Sequence, residues 1–152
     1  MDKTDDLYRR RGRRLGKLLL ALAVVLVLAG CGTGHQAAAS EVVKGQPYYD
    51  TADVAAYLHT YGQLPPNYLT KAQARALGWD ADKGNLWDVT DRGCIGGDVF
   101  TNREGHLPEP ADYHECDVNY QGGFRGADRL IYDGGGAIYY TGDHYQTFTQ
   151  LY

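Results

Sequence analysis

The stretch GDHYQTF, residues 142 to 148, sets an imidazole, His144, between an acid and the phenol of Tyr145 near the end of an acidic chain. Earlier, Glu115 lies between His114 and Cys116 in a β-prone run, so it faces the opposite side of a strand from both. Arg125 and Arg129 flank a turn at Gly126 to Asp128, and Lys71 follows Thr70 where a helix is due to begin. A carboxylate, an imidazole and guanidinium groups brought onto one open face would suit phosphoryl transfer: a base, an acid and charge stabilisers. Taken singly, each is an ordinary solvated polar residue, and spacing alone does not bring them together.

The elements that must position these groups are legible in outline. In YDTADVAAYLHTYG, Asp50 or Thr51 can cap a helix that places Val54, Tyr57, Leu58 and Tyr61 on one face, with Gly62 to stop it. LPPNYLTKAQARALGW carries a capping box, Thr70 with Gln73, so a second helix starts there and ends at Gly78. Lys71 then sits in a first turn, where a cation beside free backbone N–H groups favours an anion. Trp79, Trp87 and the tyrosines of the first helix read as core residues, and Phe124 as structural. From Gly93 onward the chain offers five strands, CIGGDVF, HECDVNY, RLIYD, AIYYTG and YQTFTQLY, with DGGG as a hairpin turn and His144 and Tyr145 at the start of the last strand. Helices followed by a run of strands predict an α+β domain, N-terminal helices packed on a C-terminal antiparallel sheet of about five strands. One sheet face is then left for a site.

The N-terminus belongs to something else. Six cations between Arg9 and Lys17 precede the apolar LLLALAVVLVLAG, which is shorter than the roughly 20 residues of a membrane span. The run ends in LAGC and resembles a bacterial lipoprotein signal with Cys31 as the lipidated residue. The reading is a signal peptide over 1–30, a small, polar tether over 31–46, and a domain over 47–152 on the outer side of the membrane, lipid-anchored or secreted. From Cys31 onward the chain holds 8 Lys and Arg against 16 Asp and Glu, a net charge of −8. Such a domain repels polyanions at long range, so any nucleic-acid function must rest on a local basic cluster.

The runs YLHTYGQLPPNYLTKAQARALGW, KGNLWDV, IGGDVFTNREGHLP, DVNYQGGFRGADRLIY and TGDHYQTFT resemble the barnase family of guanyl-preferring bacterial ribonucleases over nearly all of residues 48 to 150. The resemblance implies cleavage of single-stranded RNA on the 3′ side of guanosine through a 2′,3′-cyclic phosphate, with no metal or other cofactor, by a monomer. It makes Glu115 the general base and His144 the general acid. Lys71, Arg125 and Arg129 become the phosphate-binding cations, Tyr145 an aromatic beside the acid, and Asp98 an acid that helps hold the cations. Guanine recognition falls on Phe100, Thr101, Asn102, Arg103 and Glu104. The Glu104 carboxylate can accept guanine N1–H and N2–H, and the backbone N–H groups of Asn102 and Arg103 can donate to O6. Adenine presents the reverse pattern. The family also implies a proteinaceous inhibitor of the barstar kind as a partner.

Two features depart from that pattern. The negative domain should slow association with long RNA without removing the chemistry. Cys94 and Cys116 form an even pair in an exported chain, and a disulfide between them would contribute about 3 kcal/mol. Strand parity requires one extra residue in the first of the two strands, and Gly96 and Gly97 suit such a bulge. A zinc site from Cys94, Cys116, His114 and His106 matches no familiar ligand spacing. The alternative function is an acidic surface lipoprotein that binds RNA fragments, nucleotides or a protein without cleaving.

Overall fold

The computed structural model describes residues 41–109 and 111–152. The leader over 1–30, lipidation at Cys31 and the tether up to residue 40 lie outside the described residues. Residues 42–46, expected to belong to the tether, are instead tied to the domain: Gly45 N–H donates to the Tyr57 hydroxyl at 2.9 Å, and the Tyr61 hydroxyl donates to the Val42 carbonyl at 2.9 Å.

The first helix, α1 (Thr51–Tyr61), ends on Gly62 in the left-handed conformation, as its sequence predicts. Asp50 precedes it without a side-chain cap bond. The Asn119 amide caps it from a distant loop, accepting from Thr51 N–H at 3.2 Å and donating to Thr51 Oγ1 at 3.0 Å. After a two-residue strand β1 (Tyr68–Leu69), the capping box at Thr70 and Gln73 forms in full and starts α2 (Lys71–Ala76). A further short helix, α3 (Leu86–Val89), was not evident in the sequence.

The strands after α3 are β2 (Cys94–Phe100), β3 (Tyr113–Asp117), β4 (Arg129–Tyr132), β5 (Ile138–Thr141) and β6 (Thr149–Gln150). With β1 they make one six-stranded sheet in sequential order, antiparallel except for the β1–β2 pair. The fold is thus α+β, with β1 as an unforeseen sixth strand. The last strand is shorter than its sequence suggests, and His144 and Tyr145 lie outside it in the β5–β6 loop. Gly142 to Phe148 turn around Asp143 instead of pairing.

Alternation along the strands divides the chemistry from the core. On one face Cys116, Val118, Leu130 and Ile138 pack against Val54, Ala55 and Leu58 of α1. A second cluster joins Ala74 of α2 to Trp79, Leu86, Cys94, Ile95 and Tyr120. The opposite face carries Glu115, Asp117 and Arg129, flanked by a third cluster of Leu107, Tyr113, Ile131 and Tyr139. Trp79 and Tyr57 are buried, as core residues should be, whereas Phe124 is 71% exposed and is not part of any core.

The expected β-bulge is present. Gly96 pairs with Cys116 and Asp98 with Glu115, so Gly97, at φ +91°, is the extra residue. The expected disulfide is not: Cys94 and Cys116 are free, buried thiols. The register explains this, because Cys116 lies opposite Gly96, two positions beyond Cys94. Diagonal neighbours stand roughly 7–8 Å apart, too far for a bond that needs Cβ atoms about 4 Å apart. A Cβ at Gly96 would come 2.5 Å from that of Cys116, so the glycine leaves the space that Cys116 fills. Burial pushes the Cys94 thiol up to about 12 and the Cys116 thiol well above its usual value, which keeps both protonated.

Candidate active site

Strand β3 supplies two buried carboxylates, at alternate positions, to the open face. Glu115 is 7% exposed and accepts from Lys71 Nζ at 2.5 Å through Oε1 and from the Tyr145 hydroxyl at 2.6 Å through Oε2. Burial pushes its carboxyl up. The bonds from Lys71 and Tyr145, with the charges of Lys71 and Arg129, outweigh that and hold it below the usual glutamate value. Burial and the bond to Glu115 raise the Tyr145 phenol to about 12, so it is a proton donor at neutral pH.

Asp117 is the neighbour two residues on, and sequence reasoning missed it. Its carboxylate receives Arg125 by a two-pronged contact, Nε to Oδ2 at 2.6 Å and Nη2 to Oδ1 at 2.7 Å. Arg129 Nε lies 2.9 Å from Asp117 Oδ1, but that contact is an ion pair only, since the Nε proton is not aimed at a hydrogen-bond partner. Arg129 is 3% exposed and is anchored by Nη1 to the carbonyls of Gly126 and Asp128 at 2.9 and 2.8 Å. Burial lowers the Arg125 guanidinium, and its bond and charge contact with Asp117 more than reverse this. The signal was available: strand alternation that puts Glu115 on the open face puts Asp117 there too.

Lys71 reaches Glu115 because α2 begins beside β2. Its backbone N–H donates to Asp98 Oδ2 at 3.0 Å, and Gln73 N–H to Thr70 Oγ1 at 3.2 Å. Asp98 therefore fixes the start of α2, holding Lys71 through its backbone and not through its charge.

His144 and Tyr145 both adopt the left-handed conformation, at φ +59° and +74°. For residues with a Cβ this costs about 1–3 kcal/mol each and needs support from outside. Asp143 supplies it. Its Oδ1 accepts from Thr141 Oγ1 at 2.9 Å, Gln146 N–H at 3.0 Å and Thr147 N–H at 2.9 Å, and its Oδ2 from Thr147 Oγ1 at 2.6 Å. Thr141, buried at the end of β5, also accepts from Tyr145 N–H at 3.0 Å. The bonds from Thr147 chiefly lower the Asp143 carboxyl to about 2. His144 is left exposed, stacked on Tyr145 with ring centroids 5.1 Å apart.

A cleft of about 300 Å³ joins His144 and Tyr145 to Phe100, Thr101, Asn102, Arg103 and Glu104. The Phe100 ring stacks on that of Tyr145 at 5.4 Å. The Asn102 side chain holds the loop by a pair of bonds to Leu107, its amide to the carbonyl at 2.8 Å and its oxygen from the N–H at 3.2 Å. Glu104 points outward, 78% exposed and 3.7 Å from His106. Arg103 N–H is taken by the Thr101 carbonyl at 2.8 Å, so a ligand using that donor must displace the bond. Of the cysteine and histidine set weighed for zinc, His114 faces away from Glu115 with its Nδ1 3.2 Å from the Gly97 carbonyl. Among the described residues, no three His, Cys, Asp or Glu side chains are grouped to hold a metal.

This geometry sits inside a match to known proteins. The ribonuclease family matches residues 51–152, two thirds of the chain and every side chain of the site. The chain belongs to the ribonuclease family. This ribonuclease domain is 56% identical over 100 residues to a ribonuclease of Bacillus intermedius, covering 64% of this chain and 62% of that one. It is 55% identical over 100 residues to a ribonuclease of Heyndrickxia coagulans, 64% of this chain and 92% of that one. A guanyl-specific ribonuclease St of Saccharopolyspora erythraea is 49% identical over 55 residues, 34% of this chain and 54% of that one. The chain thus spans about three fifths of the length of the Bacillus relative.

Proposed function

We propose that the chain is an endoribonuclease that cleaves single-stranded RNA after guanosine by acid–base transphosphorylation, without a metal ion. The observation that carries this reading is the pair Glu115 and Tyr145: a buried carboxylate held ionised, bonded to the ring that stacks against His144. Glu115 takes the proton of the ribose 2′-hydroxyl, the 2′-oxygen attacks phosphorus, and His144 gives a proton to the departing 5′-oxygen. The product is a guanosine 2′,3′-cyclic phosphate and a free 5′-hydroxyl. Hydrolysis of the cyclic product would run the two roles in reverse. Lys71, Arg125 and Arg129 supply positive charge to the phosphoryl oxygens. Lys71 keeps two of its three donors when one is bonded to Glu115, so it can serve base and phosphate together.

The cleft lined by Phe100 to Glu104 is the guanine site in this reading. The Glu104 carboxylate accepts from the base, and backbone N–H groups of the same loop serve O6. We further infer that the domain is exported and held to a membrane by lipid on Cys31, that it acts as a monomer, and that any protein inhibitor covers the cluster of Lys71, Arg125 and Arg129. The test of the activity is incubation of the full chain with GpA and ApA in EDTA at low salt. Guanosine 2′,3′-cyclic phosphate from GpA, with little turnover of ApA, is the expected result. Absence of cleavage by folded protein would reject the reading.

A further inference from the structure

The side of the sheet turned away from Glu115 is only partly covered. Direct pairing sets Val99 of β2, His114 of β3, Tyr132 of β4 and Ile138 of β5 in one row across it. The helix α1 covers one end of that row. Ile138 packs against it and is buried, His114 and Tyr132 are half-buried, and Val99 is 70% exposed. Where the cover stops there is a cleft of about 530 Å³, walled by His59, Gly62 and Gln63 after the helix, by the turn from Asp133 to Gly136, and by Asp112. Its glycines keep it open, since a Cβ at Gly62, Gly134 or Gly136 would meet no atom within 4 Å.

The side chains of this cleft offer hydrogen-bond acceptors. Asp112 and Asp133 line it, and among the described residues no lysine or arginine does. Asp133 uses Oδ1 for the N–H groups of Gly135 and Ala137, at 2.9 Å each, and keeps Oδ2 for another partner. The His114 Nδ1 lies 3.2 Å from the Gly97 carbonyl, which can only accept, so that nitrogen carries the proton and Nε2 of the neutral ring is an acceptor. The Tyr132 ring stacks on His114 with centroids 5.9 Å apart, and Leu58 and Ile138 add apolar surface. A phosphate here would meet two acids and no cation. An ammonium or guanidinium group would meet carboxylates and an aromatic ring, both of which attract it.

We propose that this cleft is a second binding site, for a small organic cation with an ammonium or guanidinium group on a hydrocarbon stem. The charged head pairs with the carboxylates of Asp112 and Asp133, and the stem covers Leu58, Ile138 and the Tyr132 ring. The site shares no residue with the cleft lined by Phe100 to Glu104 and lies on the other side of β3 from Glu115, so the inference does not depend on the ribonuclease reading. An acidic domain draws every cation to its surface. What the cleft adds is a shaped apolar wall beside the charge, which a bare counterion cannot use.

The test is calorimetric titration of the full chain with agmatine, which carries a guanidinium and an ammonium on a short hydrocarbon stem, and with adipate as an anion of similar length. Two variants probe different walls: Asp112→Asn removes one charge, and Gly134→Trp places a ring at the opening. Both positions are exposed, so the fold tolerates the changes. Agmatine should bind the unaltered chain at one site with a dissociation constant on the order of 1 mM or tighter, and adipate should not bind. Each variant should weaken agmatine by about 10-fold, the worth of one charge-assisted hydrogen bond. Absence of agmatine binding, equal binding of adipate, or equal affinity of all three proteins for agmatine would overturn the site, the last by showing general attraction to an acidic surface.

Discussion

Asp117 grips Arg125 through two hydrogen bonds of 2.6 and 2.7 Å from a strand position two residues beyond Glu115. The same carboxylate lies against Arg129, so a single buried acid holds both guanidinium groups beside the base. Asp117→Ala should destabilise the fold by about 3–5 kcal/mol, because it leaves a buried arginine unpaired. Asp117→Asn keeps the shape and loses the charge. Urea denaturation of both variants, set beside KM for GpA, checks this: the stability loss should be larger in the alanine variant, and KM should rise in both.

The acid limb of activity reports Glu115. Its carboxyl titrates below the ordinary value of about 4.3, so kcat/KM for GpA should hold to below that pH. Lys71→Met removes the largest opposing influence and leaves burial, which raises the carboxyl, so the limb should move to higher pH. The same shift is a statement about stability. Pairing of Glu115 stabilises the fold above about pH 4.3, and that contribution disappears as pH falls through the lower folded value. A pH–rate profile for the two proteins decides the matter; an unmoved limb would mean that Glu115 is not the titrating base.

Asp143 is not among the residues that line the cleft, yet it supports the left-handed backbone at His144 and Tyr145. Asp143→Ala should lower kcat by about 10- to 100-fold through misplacement of the imidazole, with little change in KM. In combination with His144→Ala it should add almost nothing, since the imidazole is already gone. With its carboxyl at about 2, the loop should keep its hold above the unfolded value of about 3.9 and lose it only as pH falls through about 2. A double-mutant cycle on kcat checks the coupling.

Glu104 is the specificity prediction. Glu104→Gln presents an amide where guanine N1–H and N2–H need an acceptor, so the ratio of kcat/KM for GpA over ApA should fall by about 10- to 100-fold, corresponding to roughly 1–3 kcal/mol of discrimination. Turnover of ApA should not rise.

Much of this was legible in the chain itself. The capping box at Thr70, the stop at Gly62 and the bulge at Gly97 are local devices whose chemistry is written in adjacent residues. Strand alternation correctly set Glu115 against His114 and Cys116. What local pattern could not show was register: the two cysteines share a face, but the pairing of Gly96 with Cys116 keeps them apart. Nor could it show that Asp143 gathers its own loop, since YQTFTQLY is rich in the Tyr, Thr and Phe that favour strands and only the side-chain bonds of Asp143 overrule that preference. The cap that Asn119 lends to α1 and the exposure of Phe124 are tertiary facts with no local signal.

The central claim is the division of labour between Glu115 and His144, and a leaving-group experiment tests it most directly. Glu115→Ala and His144→Ala variants are assayed on GpA and on guanosine 3′-(4-nitrophenyl phosphate), whose leaving group departs without a proton. Glu115→Ala should be impaired by about 10²- to 10⁴-fold on both substrates, and His144→Ala by a similar factor on GpA but close to unaltered on the nitrophenyl ester. Equal impairment of His144→Ala on the two substrates would contradict its assignment as the acid that protonates the departing oxygen.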